Sequence, residues 1–254
     1  MLISAADLVV AADQINEKHL PCHMTFADKV ILFNRNLEYT GPALPDGIRI
    51  MNPFKEFAQT MEIADAFYHK YYNDNNTRHL ILGINPGRFG GGLTGIPFTD
   101  PKRLVSECHI DYKGKPTHEP SSVFVYDMIN AFGGPDAFYK KFYINSLFPL
   151  GFTKVEANGK EKNYNYYDSK ELISAVTESI VENISKQIAL GVKTDVCFCF
   201  GTGKNEQFLS RINQEYHFFK KIVALEHPRF IMQYKTLSKQ VYIDKYLEAF
   251  TNCE

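Results

Sequence analysis

Four short apolar runs divide the chain, and each is bounded by polar residues or by glycine and proline. Runs of this kind are typical of buried strands. They cover residues 80–82, 142–147, 196–200 and 222–225. Segments with apolar residues at helical spacing separate them. The alternation predicts an α/β fold, a three-layer sandwich whose central four-stranded parallel sheet is covered by helices on both faces.

Helical periodicity and cap residues predict the intervening helices. Asn52 is the expected cap of one helix, Ser121 or Ser122 that of another, and Asp168 with Glu171 forms an expected capping box. The predicted helices cover residues 3–15, 53–72, 101–105, 123–132, 169–190, a segment around 208–212, and 239–250.

Two other segments have weaker patterns. Residues 28–39 alternate around Val30 and Leu32, which favours a strand at the edge of the fold. Residues 154–167 are polar and rich in tyrosine, which favours a hairpin or an excursion over the surface.

Polar residues follow three of the four predicted strands. Asn85 comes after the first, Asn145 lies near the end of the second, and His227 follows the fourth. Ligands of parallel sheets bind beyond the carboxyl ends of the strands. We therefore expect a site at this edge, within a single domain that spans residues 1–254.

The charge balance limits the partners. Lys and Arg number 28 against 29 Asp and Glu, a net charge of -1. Any attraction to DNA must therefore be local. No apolar run approaches the roughly 18 residues of a membrane span, so no membrane association is expected. Asp7 and Asp13 interrupt the first apolar residues, so a secretory signal is not expected either.

The cysteines favour a reducing compartment. Five are present, Cys22, Cys108, Cys197, Cys199 and Cys253, and their spacing gives no paired framework. Cys197 and Cys199 lie in an apolar run, where buried thiols are expected rather than metal ligands. We expect a cytoplasmic protein with no metal and no cofactor.

The segment RHLILGINPGRFGGGLTGIPFTDP, residues 78–101, is a predicted strand followed by a loop rich in glycine and proline. Such a loop can wrap closely around a ligand. Within it, Gly90-x-Gly92-x-x-Gly95 fits the dinucleotide-binding fingerprint. That fingerprint needs its first glycine directly after the strand and a helix at its end, yet Gly90 lies further on and Pro97 interrupts. We interpret this match as accidental.

The order of side chains in this loop carries a more specific signal. Gly83-Ile84-Asn85-Pro86-Gly87, Phe89-Gly90 and the run 94–98 resemble the first motif of the single-strand-selective monofunctional uracil-DNA glycosylase family. Residues 144–150 resemble its central strand end, and His227-Pro228 the start of its second motif. The resemblance spans about residues 78–235 and is closest to the divergent second branch of the family found in bacteria.

The resemblance implies a role for each matching residue. Asn85 would position the attacking water and His227 would contact O2 of the base. The base itself would be contacted by Gly87, Phe89, Gly91, Phe98, which stacks on it, and Asn145, which reads its amide edge. These roles suit the chemistry, because a donor at O2 stabilises the charge that develops on the departing pyrimidine. An amide can match both O4 and N3–H of uracil.

The chain departs from the family at two places. The second motif usually continues as Ser-Pro-Arg, whereas here Arg229, Phe230 and Ile231 follow Pro228. Gly91 stands where better-known members have methionine, which leaves the tolerance of 5-substituted uracils open. With Lys235, the residues Arg229, Phe230 and Ile231 are expected to contact DNA as a loop that enters the base stack.

These observations predict a monofunctional DNA-repair glycosylase that hydrolyses the N-glycosidic bond of uracil, with related deaminated or oxidised bases left open. Its expected partner is uracil-containing DNA, single-stranded and also double-stranded, and the expected state is a monomer. Two alternatives remain. One is a non-catalytic nucleic-acid-binding module of the same fold, and the other is a dinucleotide-binding oxidoreductase.

Overall fold

The structure, a computed structural model, describes residues 24–252. The helix predicted over residues 3–15 lies outside them, as do Cys22 and Cys253. The strands are β1 Ile48–Met51, β2 His79–Gly83, β3 Phe142–Ser146, β4 Gly151–Val155, β5 Glu161–Tyr164, β6 Lys193–Phe200 and β7 Lys221–Leu225.

Helices precede, separate and follow these strands. They are α1 Phe26–Arg35, α2 Pro53–Glu56, α3 Ala58–Tyr72, α4 Gly91–Thr94, α5 Pro101–Ser106, α6 Pro120–Ala131, α7 Pro135–Lys141, α8 Lys170–Ala189, α9 Lys204–Tyr216, α10 Pro228–Tyr234 and α11 Lys239–Thr251, with a 3-10 turn at Thr236–Ser238.

The central sheet has four parallel strands in the order β3-β2-β6-β7. Every residue of β2 and β3 is buried, because helices cover both faces. The predicted α/β sandwich with a four-stranded parallel sheet is therefore confirmed. Leu82 pairs with Asn145 on one side and Cys199 on the other. This register brings the end of β3 beside the start of the loop that follows β2.

A second sheet was only partly predicted from the sequence. Strands β4 and β5 form the hairpin expected within residues 154–167, and β1 pairs antiparallel with β4. Strand β1 has only four residues, and three of them are partly or fully exposed. So short and weakly apolar a segment gives little periodic signal.

The edge strand predicted over residues 28–39 is wrong. This segment forms α1, which begins with a capping box between Thr25 and Asp28. Phe26, Val30 and Ile31 point into the core at helical spacing. The alternation over a few residues was too short to separate the two periods.

Three helix starts or spans differ from their predictions. The helix expected over residues 53–72 is divided at Phe57, whose backbone is extended. Helix α8 is capped by Ser169, not by a box of Asp168 and Glu171. Helix α6 begins at Pro120 with Glu119 in the cap position, not at Ser121 or Ser122. This last difference bears on the site.

A buried arginine anchors the start of β2. The side chain of Arg78 is fully buried, and its guanidinium group donates hydrogen bonds to both carboxylate oxygens of Asp74 and to the carbonyl of Tyr139. The rings of Phe26 and Tyr72 lie 4.9 Å and 4.7 Å from the guanidinium carbon. These contacts satisfy a charge that would otherwise be costly to bury.

Candidate active site

A cleft of about 610 Å³ opens at the carboxyl edge of the central sheet. The loop after β2 forms one wall, and the segment after β7 forms the other. Asn85, Glu119, His227 and Arg229 supply its main polar groups, and Phe98 and Phe230 supply apolar surface. The strand ends thus bring Asn85 and His227 together as the sequence predicts.

The glycine-rich loop folds tightly against its neighbours. Gly95 ends α4 with a φ of 73°, and a Cβ there would lie 2.6 Å from the ring of Phe54 and 2.7 Å from Thr60. Glycine is therefore required at this position for both conformation and space. The dinucleotide-binding reading does not fit this geometry, because Gly90 to Gly95 enclose only the four-residue helix α4.

The amide of Asn85 joins the loop to the hairpin. Its Nδ2 donates to the carbonyl of Tyr164 at 3.1 Å, and its Oδ1 accepts from the backbone N–H of Tyr166 at 3.1 Å. A carboxamide has two donor hydrogens and two acceptor lone pairs. Nδ2 also donates to the carbonyl of Pro86 at 3.5 Å. Asn85 is thus held in one orientation, and one acceptor position on Oδ1 is left for a ligand or water.

His227 is the cap residue of α10. Its Nδ1 accepts from the backbone N–H of Arg229 at 3.1 Å. Because that N–H can only donate, the neutral imidazole must carry its proton on Nε2. Burial, and next the positive charge of Arg229, lower the pKa of His227 to about 4. Near neutral pH, His227 is therefore an uncharged donor through Nε2.

The ring of Phe98 stands beside this histidine. The two ring centroids are 5.7 Å apart, and Phe200 packs against Phe98 edge to face at 5.5 Å. Phe98 has a φ of 53°, an uncommon value for a residue with a side chain. A Cβ at Gly83 would lie 2.9 Å from the Phe98 ring, so the bare backbone of Gly83 makes room for it.

Asn145 lies next to the cleft rather than on its wall. It is 4% exposed, and it lines a small cavity whose boundary shares Pro86, Gly91 and Pro97 with the cleft. Its Nδ2 donates to the Tyr143 hydroxyl at 2.7 Å and its Oδ1 accepts from the N–H of Ser146 at 2.8 Å. Each end of the amide keeps one further hydrogen-bonding position.

Of the remaining residues predicted to contact the base, two line the cleft and one does not. Gly87 and Gly91 line the cleft. Phe89 does not, because its ring is 48% exposed on the surface, where the guanidinium carbon of Arg88 lies 4.9 Å from it. The structure therefore does not bring Phe89 to the place where a base would lie.

The predicted DNA-contacting segment is helical. Arg229 and Phe230 reach the cleft, and Lys235 is exposed. Ile231 is fully buried, so the prediction that it contacts DNA is wrong. In a helix, Phe230 and Tyr234 share the outer face, with ring centroids 5.4 Å apart, and Ile231 faces inward. From the sequence we expect a loop that enters the base stack, and a loop does not separate an outer face from an inner face as this helix does.

One residue of the cleft and one exposed apolar residue that follows α10 were missed by sequence reasoning. Leu237, in the turn after α10, is fully exposed. Glu119 precedes Pro120 and projects into the cleft. A proline at the first helical position with Glu before it could have indicated the true start of α6.

The carboxyl group of Glu119 has a perturbed acidity. Burial raises its pKa most, and the negative charge of Asp100 raises it further. The charge of Arg229 and a hydrogen bond with Ser121 oppose these effects, and the pKa rises to about 7. Burial thus favours the neutral form of both Glu119 and His227.

Neither a metal centre nor a membrane segment is visible in the described part of the chain. No group of three or more His, Cys, Asp or Glu side chains within residues 24–252 is placed to hold a metal ion. In the same residues, no helix is long and apolar enough to cross a membrane.

The fold and the cleft define a class that comparison with known proteins identifies. The chain belongs to the uracil DNA glycosylase superfamily, whose family model matches residues 69–251. Among solved structures, it is similar to wild-type SMUG2 from Pedobacter heparinus, at 72% sequence identity and a TM-score of 0.90. That match covers 91% of this chain and 99% of the other. No curated protein matches the chain.

These matches confirm the predicted family and the predicted class of enzyme, a uracil-DNA glycosylase that hydrolyses N-glycosyl bonds. They also agree with the assignment to its second branch. The roles of individual residues are a separate question, which the geometry of the cleft addresses.

Proposed function

We propose that this protein is a monofunctional glycosylase that releases uracil from DNA, with His227 and Asn85 acting on opposite sides of the bond that breaks. The observation that carries the proposal is the neutral His227, whose Nε2–H is free while Nδ1 is occupied by Arg229. Related deaminated or oxidised bases are an extension of the same proposal.

His227 stabilises the leaving base. Cleavage of the N-glycosidic bond places negative charge on the pyrimidine, and a fixed donor at O2 interacts more strongly with that charge than with the intact nucleotide. A neutral imidazole keeps its proton during this interaction. Removing one such donor typically lowers the rate about 10²- to 10³-fold.

Asn85 positions the water that attacks C1′ of the sugar. Its amide is oriented by the backbone of Pro86, Tyr164 and Tyr166, and one acceptor position on Oδ1 remains, to which a water molecule can donate. A water molecule bound there is already oriented for attack, which lowers the entropy cost of reaching the transition state. The hairpin thus acts on the chemistry through Asn85.

Base recognition combines Phe98 and Asn145. Phe98 offers a ring face for stacking next to His227. Asn145, behind Pro86 and Gly91, has one donor and one acceptor position left, which match O4 and N3–H of uracil and mismatch cytosine. A buried mismatch costs on the order of 1–3 kcal/mol for each unpaired group.

DNA contact is assigned to the surface around α10. Arg229 and Lys235 are the cations beside the cleft mouth, and Phe230, Tyr234 and Leu237 are exposed apolar residues among them. Apolar side chains next to cations suit a surface that enters the base stack and holds phosphates. This local surface is compatible with a net charge of -1. We propose that the protein is a single domain and acts as a monomer.

Strand cleavage is not expected. A bifunctional glycosylase needs an amine nucleophile that forms a Schiff base, and no lysine is among the described residues that line the cleft. The product should therefore be an intact strand with an abasic site, cut only by added alkali.

One assay tests the proposal. Uracil-containing single- and double-stranded oligonucleotides are incubated with wild-type protein and with Asn85→Ala, then treated with alkali. We expect cleavage by wild type and loss of most activity, with DNA binding retained, in the variant. DNA binding without base release by wild type would favour the non-catalytic module. Rates near wild type in Asn85→Ala would contradict the role of Asn85.

A further inference from the structure

Asn85 leaves one chemical requirement of the reaction unmet. An amide can orient a water molecule, but it does not accept a proton near neutral pH. Attack by water on C1′ releases a proton that must reach a base or the solvent. Glu119 is the only acidic side chain among the described residues that line the cleft.

The carboxyl group of Glu119 lies against the loop that carries Asn85. A Cβ atom at Gly87 would lie 2.5 Å from Oε1, and one at Gly90 would overlap Oε2. The two glycines therefore leave the space that the carboxyl group fills. Gly87 is two residues from Asn85, and both Glu119 and Asn85 line the cleft.

The position of Glu119 is fixed by its own backbone. Its N–H donates to Oδ2 of the buried Asp100 at 2.7 Å, and its carbonyl accepts from Ser122 in the first turn of α6. Its side chain makes no capping hydrogen bond to α6. The side chain is directed into the cleft instead.

We infer that Glu119 is a catalytic residue of the proposed glycosylase reaction, the base that takes the proton from the water held by Asn85. The bond between C1′ and the nucleobase nitrogen breaks, and its electron pair leaves with the nucleobase. The water oxygen bonds to C1′ and its proton moves to the Glu119 carboxylate, which later releases it to solvent. The departing nucleobase, whose O2 accepts a hydrogen bond from His227, takes a proton from solvent.

The charged groups around Glu119 shift its pKa and so set the pH range in which it is a carboxylate. From α5 and its cap, Asp100 faces it, with Arg103 and His118 in contact with Asp100. From α10, Arg229 faces it, and Ser121 contacts it from its own helix. On the loop side, Gly87 and Gly90 lie against the carboxyl group. With a pKa of about 7, the carboxylate form grows through the range in which the enzyme is assayed.

The test is the pH dependence of single-turnover base release, with Glu119→Gln as the main variant. Glutamine keeps the shape against Gly87 and Gly90 but accepts no proton. For wild type we expect log k to rise with a slope of about one and level off near the pKa of Glu119. The variant should lose this rise and be about 10²- to 10⁴-fold slower on the plateau, with an unchanged melting temperature.

Two further variants move the midpoint in opposite directions. Asp100→Asn removes a charge that raises the pKa of Glu119, so the midpoint should shift to lower pH. Arg229→Gln removes a charge that lowers it, so the midpoint should shift to higher pH. These shifts keep the inference testable if one variant fails to fold.

The outcomes separate this inference from the function on which it rests. Glu119→Gln with the rate and pH profile of wild type would overturn the inference alone. A slow variant that keeps the pH step would also overturn it, since Glu119 would then only support the loop. If wild type released no base while binding DNA, both the proposed function and this inference would fail.

Discussion

The Nδ1 atom of His227 accepts a hydrogen bond from the backbone N–H of Arg229, 3.1 Å away. Except for proline, which lacks a backbone N–H, no substitution at position 229 removes this donor. The side chain of Arg229 and the tautomer of His227 can therefore be varied separately.

This separation gives the first prediction. His227→Ala should lower single-turnover excision about 10²- to 10³-fold at saturating DNA. Arg229→Ala should mainly weaken DNA binding and reduce its salt dependence. Because the pKa of His227 is about 4, the pH step expected from Glu119 near pH 7 should persist in His227→Ala. Equal effects of both substitutions on rate and affinity would contradict this division.

The same lowered pKa has a consequence for stability. Below about pH 6.5 the unfolded chain protonates this histidine while the folded chain does not. This contribution to stability is fully present above that pH and is lost as the pH falls toward the folded value of about 4. Thermal melting of wild type and His227→Ala across this range measures the difference.

A second prediction concerns Asn145. Asn145→Asp should slow uracil excision about 10- to 100-fold, because a carboxylate repels O4 and the amide donor is lost. A shift toward cytosine, whose amino group donates, is measured in the same assay. Tyr143→Phe is the matched control, since it removes the partner of Nδ2 but leaves the amide. Normal excision by both Asn145→Asp and Asn145→Ala would make Asn145 structural.

A third prediction separates the DNA surface from the core. Leu237→Ala and Phe230→Ala should reduce activity on duplex DNA more than on single strands, where no stacked partner is displaced. Their melting temperatures should stay near that of wild type. Ile231→Ala should instead destabilise the fold by about 2–5 kcal/mol and affect both substrates alike. A duplex-selective loss in Ile231→Ala would contradict this assignment.

A fourth prediction tests the buried arginine. Burial would raise the pKa of Asp74, but hydrogen bonds from the Arg78 side chain and the Asn76 backbone outweigh burial and lower it. Asp74→Ala leaves the guanidinium group without its carboxylate and should lower the melting temperature clearly. Asp74→Asn should lower it less. The stability that this pair contributes should also decline as the pH falls below about 4, when the carboxylate is protonated.

The sequence predicted the central sheet because each buried run was interrupted by glycine, proline or polar residues. Since parallel strands end at one edge, it also predicted that Asn85 and His227 would meet. Residues 28–39 were mispredicted because only the full helix, with Thr25 as its cap, shows which side chains turn inward. The burial of Ile231 depends on the helical periodicity of α10, which begins at Pro228, and that start was not recognised from the sequence.

Glu119 was missed for a different reason. Its position in the cleft depends on a contact with Asp100, which lies 19 residues earlier, and on space left by two glycines of another loop. No local pattern encodes such a contact. The engagement of Asn85 by the hairpin backbone was likewise invisible, because its partners are main-chain atoms of residues 164 and 166.

Phe98 reaches its place through a backbone conformation that costs on the order of 1 kcal/mol. Gly83, Phe200 and His227 then pack against its ring and restrict its orientation. Ordering a side chain at a binding surface usually costs about 0.5–1.5 kcal/mol. Here that loss of conformational entropy occurs when the chain folds, before any nucleotide arrives. In the proposed reaction an extruded base would stack on a ring that is already ordered, so the affinity would not be reduced by the entropy cost of ordering that ring.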